Sequence, residues 1–203
     1  MSLKDAKVNF VVNIATDLFM GRSIQDVTIR DIALSAQIGE ATIYRYFGKK
    51  QTLVLQAAMR IGQIINTEYF QLDDKKSGYE KLEAFYMSYL DIFENNINFY
   101  KFIREFDLFM SGEDTNSLNA YEAAIDLFKI EYMKAYQLGL DDGSVKAQDD
   151  IEMFYFTTTH SLLELCKKLS MKEILNQDKK LLQVHIHNSC NFKDFEIYIL
   201  LLD

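Results

Sequence analysis

The chain has 203 residues, a hydrophobic content of 49% and a formal net charge of −8 at pH 7. Its complete lack of proline and its 8 glycines argue against a turn-rich β protein and favour helices joined by polar links. Its two cysteines are too few for a disulfide framework. We recognise no signal peptide and no apolar run long enough to span a membrane, so we expect a cytoplasmic protein without a membrane partner.

The first periodic segment predicts a helix from about Lys4 to Met20, which ends at Gly21. We expect Phe10, Ile14 and Leu18 to lie on its apolar face. Two further short helices joined by a tight turn are predicted between Thr28 and Phe47. Their buried positions are Ile29, Ile32, Ala33, Ala36, Ile38, Ile43 and Phe47.

The pair of helices between Thr28 and Phe47 carries polar side chains of the kind that contact nucleic acid. Thr28 is a favourable N-cap, with Asp31 three residues later, and Gly39 can begin the next helix. The face of these helices that is not buried carries threonine, tyrosine and arginine, which are residue types that bond phosphates and base edges. The pattern predicts a helix-turn-helix whose second helix enters the major groove. The alternative interpretation is an ordinary helical hairpin inside an all-α core.

Residues 10 to 60 resemble the DNA-binding domain of the TetR family of bacterial transcriptional regulators. The matching residues are Ile14, Ala15, Leu18, Phe19, Gly21, Val27, Thr28, Ile32, Ala33, Ala36, Ile38, Thr42, Ile43, Tyr44, Tyr46, Phe47, Lys50 and Leu53. Three positions depart from the family pattern: Gln37 replaces the usual turn glycine, Gly39 the usual serine or threonine cap, and Ala41 a frequent glycine. The resemblance implies an all-α fold in which a three-helix DNA-binding domain precedes a larger effector-binding and dimerisation domain.

Position by position, the resemblance implies phosphate contacts for Thr28, Thr42, Tyr44 and Lys50. Base-edge contacts are predicted for Arg30, Glu40 and Arg45, because arginine suits guanine and a carboxylate can accept from cytosine. The full predicted DNA-binding set is Thr28, Arg30, Glu40, Ala41, Thr42, Tyr44, Arg45, Tyr46, Lys49 and Lys50. The charge distribution agrees, since residues 1–60 carry a net +3 and the rest of the chain −11.

The chain beyond this domain predicts further helices, which bring the total to about nine. A connecting helix runs from about Lys49 to Tyr69, followed by helices at about Gly78–Glu94, Ile97–Met110, Ser117–Leu138 and Ala147–Leu169. Residues 180–203 fit strand or helix by pattern alone, and the all-α context favours a helix near the end. We therefore predict a DNA-binding domain at 1–48, a connecting helix at 49–70 and a ligand-binding and dimerisation domain at 71–203.

The region beyond residue 71 is rich in aromatic residues, and their density suggests a ligand cavity with apolar walls and a few hydroxyls. Plain core packing is the alternative for any single residue. The predicted ligand-binding set is Tyr86, Phe102, Phe106, Phe109, Tyr155 and His160. A second apolar stripe lies on the helix predicted at about Ala147–Leu169. We assign this stripe to a dimer interface, and the alternative is packing inside one subunit. That stripe comprises Ile151, Phe154, Leu162, Cys166 and Leu169.

Signals for an enzyme are weak, since we find no glycine-rich phosphate loop, nucleophile elbow or helical zinc-protease motif. His185, His187 and Cys190 are the best metal candidates, but a polar stretch with incidental histidines explains them, and we predict neither metal nor cofactor. The sequence therefore predicts a homodimeric repressor that binds operator DNA and is released by a small apolar or aromatic effector. The connecting helix is predicted to carry that signal. The alternative is a helical ligand-binding protein or enzyme with an incidental helix-turn-helix.

Overall fold

The computed structural model describes residues 2–71 and 76–171, except the side chains of 115–117. Every regular element in these ranges is a helix, which confirms the all-α class. The helices are α1 (Leu3–Gly21), α2 (Ile29–Ala36), α3 (Glu40–Phe47), α4 (Lys50–Tyr69), α5 (Gly78–Asn95), α6 (Ile97–Met110), α7 (Thr115–Asp141) and α8 (Ile151–Ser170). The predicted ninth helix and the metal candidates His185, His187 and Cys190 lie outside the described residues.

The described helices form two compact units. Among the described residues, the first unit comprises 2–67 with 98–126, and the second comprises 68–71, 76–97 and 127–171. α6 and the first part of α7 therefore belong to the same unit as the N-terminal helices. The sequence did not suggest this, because these segments are far apart along the chain. The functional ranges 1–48, 49–70 and 71–203 remain a prediction. None of the described helices is both long and apolar enough to cross a membrane.

The first unit is built on α1, which begins at a capping box formed by Ser2 and Asp5 and packs against α2. Its buried face consists of Val11, Val12, Ala15, Thr16 and Phe19. The predicted face was wrong at Phe10, whose side chain is 53% exposed, while Ile14 and Leu18 are only half-buried. The face that α1 buries therefore includes Val11, Val12, Ala15 and Phe19 and does not include Phe10.

The second unit has an aromatic interior, in which Phe85, Tyr86, Tyr132 and Tyr155 are buried between α5, α7 and α8. The hydroxyl of Tyr86 lies 2.7 Å from the Thr158 hydroxyl and 3.3 Å from the Tyr132 hydroxyl. Thr158 in turn donates to the carbonyl of Phe154 at 2.8 Å. The hydroxyls thus satisfy one another, which is what buried polar groups require.

The start of α5 is held against the end of α7 by a glycine contact. A Cβ added to Gly78 would lie 2.0 Å from the Gly139 nitrogen and 2.6 Å from the Ala135 carbonyl oxygen. The loop after α7 completes the contact, since Asp142 accepts from the Gly78 N–H at 2.8 Å and Ser144 from the Tyr79 N–H at 3.0 Å. These two bonds satisfy N–H groups that the first turn of α5 leaves without helical partners.

Candidate nucleic-acid interface

α2 begins at a reciprocal capping box. The Thr28 hydroxyl accepts from the Asp31 N–H at 3.1 Å, and the Asp31 carboxylate accepts from the Thr28 N–H at 2.8 Å. Hydrogen bonds from the backbone and hydroxyl of Thr28 lower the pKa of Asp31, with smaller contributions from Arg22 and Arg30. Thr28, predicted to bind phosphate, therefore also fixes the start of α2. Arg30 is exposed on the first turn of this helix.

The turn between α2 and α3 depends on Gln37. This residue adopts the left-handed conformation, with φ 55° and ψ 40°, and is the only non-glycine residue with positive φ in the described part of the chain. Its N–H donates to the carbonyls of Ala33 and Leu34, and the Ile38 N–H donates to Ala33. The helix-turn-helix geometry is therefore kept although glycine, the residue that tolerates this conformation best, is absent.

α3 presents an outward polar face because two apolar residues anchor it. Ile43 and Phe47, four residues apart, are buried at 1% and 5% exposure. Tyr44 is 51% exposed, and Arg45 is exposed beside it. The remaining predicted contacts on this helix are exposed at Glu40 and Ala41 and half-buried at Thr42 and Tyr46.

Two features of α3 set the geometry of this face. Gly39 at its N-cap supplies no side-chain hydrogen bond. The first amides of the helix are therefore not covered by a capping side chain. At the other end the Arg45 guanidinium carbon lies 5.4 Å from the centroid of the Tyr46 ring, within cation–π range. This contact supports the arginine side chain on the polar surface of the helix.

The two lysines at the start of α4 are engaged within the first unit. Lys49 forms an ion pair with Glu113. The Lys50 ammonium donates to the Ile24 carbonyl at 2.5 Å, lies 3.5 Å from the Gln25 carbonyl oxygen and 5.2 Å from the centre of the Phe109 ring. Partial burial lowers the pKa of Lys50, while Asp26 and Asp31 act to raise it. Both lysines were predicted to contact DNA, and that role remains a prediction.

Sequence analysis missed Glu105. Its carboxylate accepts from the Ile24 N–H at 2.6 Å, so a side chain of α6 holds the loop between α1 and α2. Ile24 is fully buried. No local spacing could reveal this contact, because the two residues are 81 positions apart. In the sequence Glu105 is only an acidic neighbour of Arg104.

Comparison with known proteins identifies this helix-turn-helix. Residues 12–57 match the model of the bacterial regulatory proteins, tetR family. Residues 12–57 of this chain therefore match the DNA-binding domain of TetR-family transcriptional regulators. HTH-type transcriptional regulators from Staphylococcus aureus strains USA300 and N315 are 29% identical over 160 residues, which cover 64% of this chain and 86% of theirs.

Solved structures of TetR-family regulators share the fold across most of this chain. One from a Rhodococcus species has a TM-score of 0.70 at 15% identity and covers 91% of this chain and 99% of its own. The regulator FadR from Bacillus subtilis, in complex with stearoyl-CoA, has a TM-score of 0.63 at 15% identity and covers 89% and 96%. These similarities show the fold of the chain.

The predicted ligand-binding residues are divided between the two units. Phe102, Phe106 and Phe109 lie on α6 in the first unit, where the Phe106 ring is 4.7 Å from that of Tyr121. Burial, with a smaller contribution from Asp107, raises the pKa of Tyr121. Tyr86 and Tyr155 are buried in the second unit. His160 is exposed there and packs on Phe156 with ring centres 5.8 Å apart, so it does not line the buried aromatic cluster.

The predicted dimer stripe requires a correction. Leu162, Cys166 and Leu169 are 0%, 0% and 2% exposed in the single chain, so a second subunit cannot contact these side chains directly. The helical periodicity detected a buried stripe, but the partner is the chain itself, with α5 packed on α8. Ile151 and Phe154 are half-buried, and the exposed apolar residues of α8 are Met153 and Phe156.

Proposed function

We propose that this regulator is a repressor that binds operator DNA as a homodimer in the bacterial cytoplasm and is released by a small, largely apolar or aromatic effector. The observation that supports DNA binding most directly is the anchoring of α3 by Ile43 and Phe47, which turns Tyr44 and Arg45 outward together. In this arrangement Arg45 suits a guanine edge and Glu40 can accept from cytosine, while Tyr44 binds phosphate.

The test of DNA binding is an electrophoretic mobility shift with DNA from upstream of the chain's own gene. The wild type should shift this DNA, and Tyr44→Ala should not. Met87→Ala is the control, because Met87 is exposed on α5 and belongs to the second unit. A wild type that binds no DNA would favour the alternative, a helical small-molecule-binding protein or enzyme with an incidental helix-turn-helix.

The proposed effector follows from the chemistry of the aromatic residues. Around Tyr86 the second unit offers ring faces and hydroxyls, a combination that suits an uncharged ligand with one or two polar groups. In the first unit α6 offers Phe102 and Phe106, whose ring centres are 6.0 Å apart. The stearoyl-CoA complex of FadR, which shares the fold, adds a precedent for an effector with a long apolar part.

Thermal shift measurements with neutral aromatic compounds and fatty acyl thioesters test this assignment. A compound that binds the folded state raises the melting temperature by mass action. We expect a hit to lower DNA affinity as well, since linkage requires the ligand to prefer the state that does not bind DNA. Phe106→Ala or Tyr86→Phe should weaken the response while DNA affinity without the compound stays close to that of wild type.

Homodimerisation is proposed because operators read by helix-turn-helix dimers are palindromic. The exposed apolar side chains Met153 and Phe156 on α8 are candidates for the contact with the second subunit. Light scattering at micromolar concentration should find a wild-type dimer and a weakened dimer for Met153→Glu. Leu162→Glu should instead unfold the chain, because it places a charge in the interior. A monomeric wild type would refute the proposal.

A further inference from the structure

The Lys50 ammonium has little capacity left for a DNA phosphate in this structure. A lysine ammonium has three N–H donors. Here the carbonyls of Ile24 and Gln25 and the ring of Phe109 surround it. Asp26 and Asp31 supply further negative charge near the group. A phosphate would have to compete with these neighbours for the N–H donors of the ammonium.

Glu105 bonds the same loop residue that Lys50 bonds. Its carboxylate accepts from the Ile24 N–H at 2.6 Å, and the Ile24 carbonyl accepts from Lys50 at 2.5 Å. One residue of the loop between α1 and α2 therefore connects a carboxylate on α6 with an ammonium at the start of α4. Phe109 on α6 faces the ammonium as well, so α6 contacts both parts of the arrangement.

We propose that Glu105, Lys50 and the backbone of Ile24 form a latch through which α6 sets the position of the helix-turn-helix. Glu105 is a positioning residue for DNA binding, and Lys50 supports binding through the loop between α1 and α2 rather than by bonding a phosphate. The proposal rests on the proposed DNA binding. It gives α6 a direct route to the DNA-binding helices, in addition to α4.

The latch reverses the electrostatic expectation for Glu105. Removing a negative charge from a DNA-binding unit should by itself strengthen non-specific binding, because fewer like charges repel the phosphates. If Glu105 positions the loop, Glu105→Ala should instead weaken binding. Glu105→Gln should retain most of the affinity, because its amide oxygen can still accept from the Ile24 N–H.

The experiment measures affinity from about 50 to 200 mM salt for a duplex that the wild type selects from a random-sequence pool. We expect Lys50→Ala and Glu105→Ala each to lose about tenfold in affinity, with the salt slope of wild type. The double variant should be no weaker than the weaker single variant, because both side chains act through the backbone of one residue. Glu94→Ala is the control, since it removes an exposed carboxylate from the second unit.

A second readout needs no DNA. Hydrogen exchange at the Ile24 amide should speed up in Glu105→Ala and stay near the wild-type rate in Glu105→Gln, at matched melting temperatures. The latch is refuted if Lys50→Ala lowers the salt slope by about one, which is the signature of a lost phosphate contact. It is also refuted if Glu105→Ala binds more tightly, if the two losses add, or if Ile24 exchange is unchanged. A wild type that selects no duplex would contradict the proposed function, while the exchange data would still decide the latch.

Discussion

The core around the helix-turn-helix differs in composition from the interior of the second unit. Around α2 and α3 the first unit buries mainly aliphatic residues, such as Ile32, Ala33 and Ile43. The second unit buries aromatic rings with linked hydroxyls, such as Tyr86 and Tyr132. Short helices with small aliphatic contacts hold an exposed polar face in a fixed geometry, as docking into a DNA groove requires. Aromatic rings with hydroxyls at their ends are the usual lining of a ligand site.

The two units also differ in how polar groups secure them. In the first unit side chains distant in sequence hold the loop between α1 and α2, through Glu105 and Lys50. In the second unit a close contact between glycines holds the start of α5 against the end of α7, and Asp142 and Ser144 accept hydrogen bonds from the first N–H groups of α5. We therefore expect the second unit to be sensitive to added volume and the first to lost hydrogen bonds. Substitutions in each unit test this contrast.

The largest effect is expected at Gly78. In Gly78→Ala the new Cβ would lie 2.0 Å from the Gly139 nitrogen, so α5 and α7 must move apart. We expect a loss of about 3 kcal/mol in the free energy of unfolding. Gly62→Ala is the matched control, since Gly62 lies within α4 with open space around its Cβ position. It should gain about 0.5–1 kcal/mol from helix propensity. Urea unfolding of both variants checks the pair, and equal stabilities would contradict the close contact.

On the polar face of the first unit, Arg45→Ala should change specificity more than stability. Arg45 is exposed and supports no buried residue, so the melting temperature should stay near that of wild type. We expect a loss of about 1–3 kcal/mol against the preferred base pair at one operator position, with other positions unchanged. Binding-site selection with both proteins measures this. A uniform loss at all positions would make Arg45 a phosphate contact instead.

Tyr86→Phe should affect the second unit through one lost hydroxyl. The hydroxyls of Tyr132 and Thr158 would lose a partner, although Thr158 keeps its bond to the Phe154 carbonyl. We expect a loss of about 1 kcal/mol in the free energy of unfolding. Phe85→Leu in the same cluster is the comparison, because it removes ring volume without a hydrogen bond. Unchanged stability of Tyr86→Phe would show that the network is not needed for folding.

The sequence predicted most where contacts are local. Spacings of three or four residues predict the capping box of Thr28 and Asp31 and the buried pair Ile43 and Phe47. They also predict nearly all helix limits. It failed for Phe10 and for the α8 stripe, because periodicity shows that a face is buried but not what covers it. It could not find Glu105, whose function depends on a residue 81 positions away.

A gain in stability is expected at the turn between α2 and α3. Gln37 pays for its left-handed conformation, which glycine adopts without a steric cost. Gln37→Gly should therefore raise the free energy of unfolding, by about 0.5–1 kcal/mol after the entropy of the unfolded chain is counted. Ser35→Gly is the control, because Ser35 lies within α2, where glycine is unfavourable. This variant should lower the free energy of unfolding by about 0.5–1 kcal/mol. If both variants lose stability, the turn is not strained.

The smallest effect concerns acid, at two matched capping boxes. The Asp31 carboxylate accepts from the Thr28 N–H and the Glu80 carboxylate from the Ser77 N–H, both at 2.8 Å, and these bonds lower both pKa values. Folding favours the charged form, so the stabilisation is complete above the ordinary carboxyl pKa of about 4 and is lost as the pH falls through the lowered value.

The two boxes should respond differently to acid. Arg22 and Arg30 help to lower the pKa of Asp31, whereas at Glu80 the pKa is lowered by Lys76 and raised by Asp142. Because the ordinary pKa of a glutamate is higher than that of an aspartate, Glu80 should lose its contribution at a higher pH than Asp31. Melting temperatures of wild type, Asp31→Asn and Glu80→Gln, measured from about pH 5 downward, test this order. Each variant should show a shallower decline than wild type, and the Glu80→Gln curve should diverge from the wild-type curve first. Parallel curves would mean that neither box contributes to acid sensitivity, and the opposite order would assign the stronger electrostatic support to the second unit.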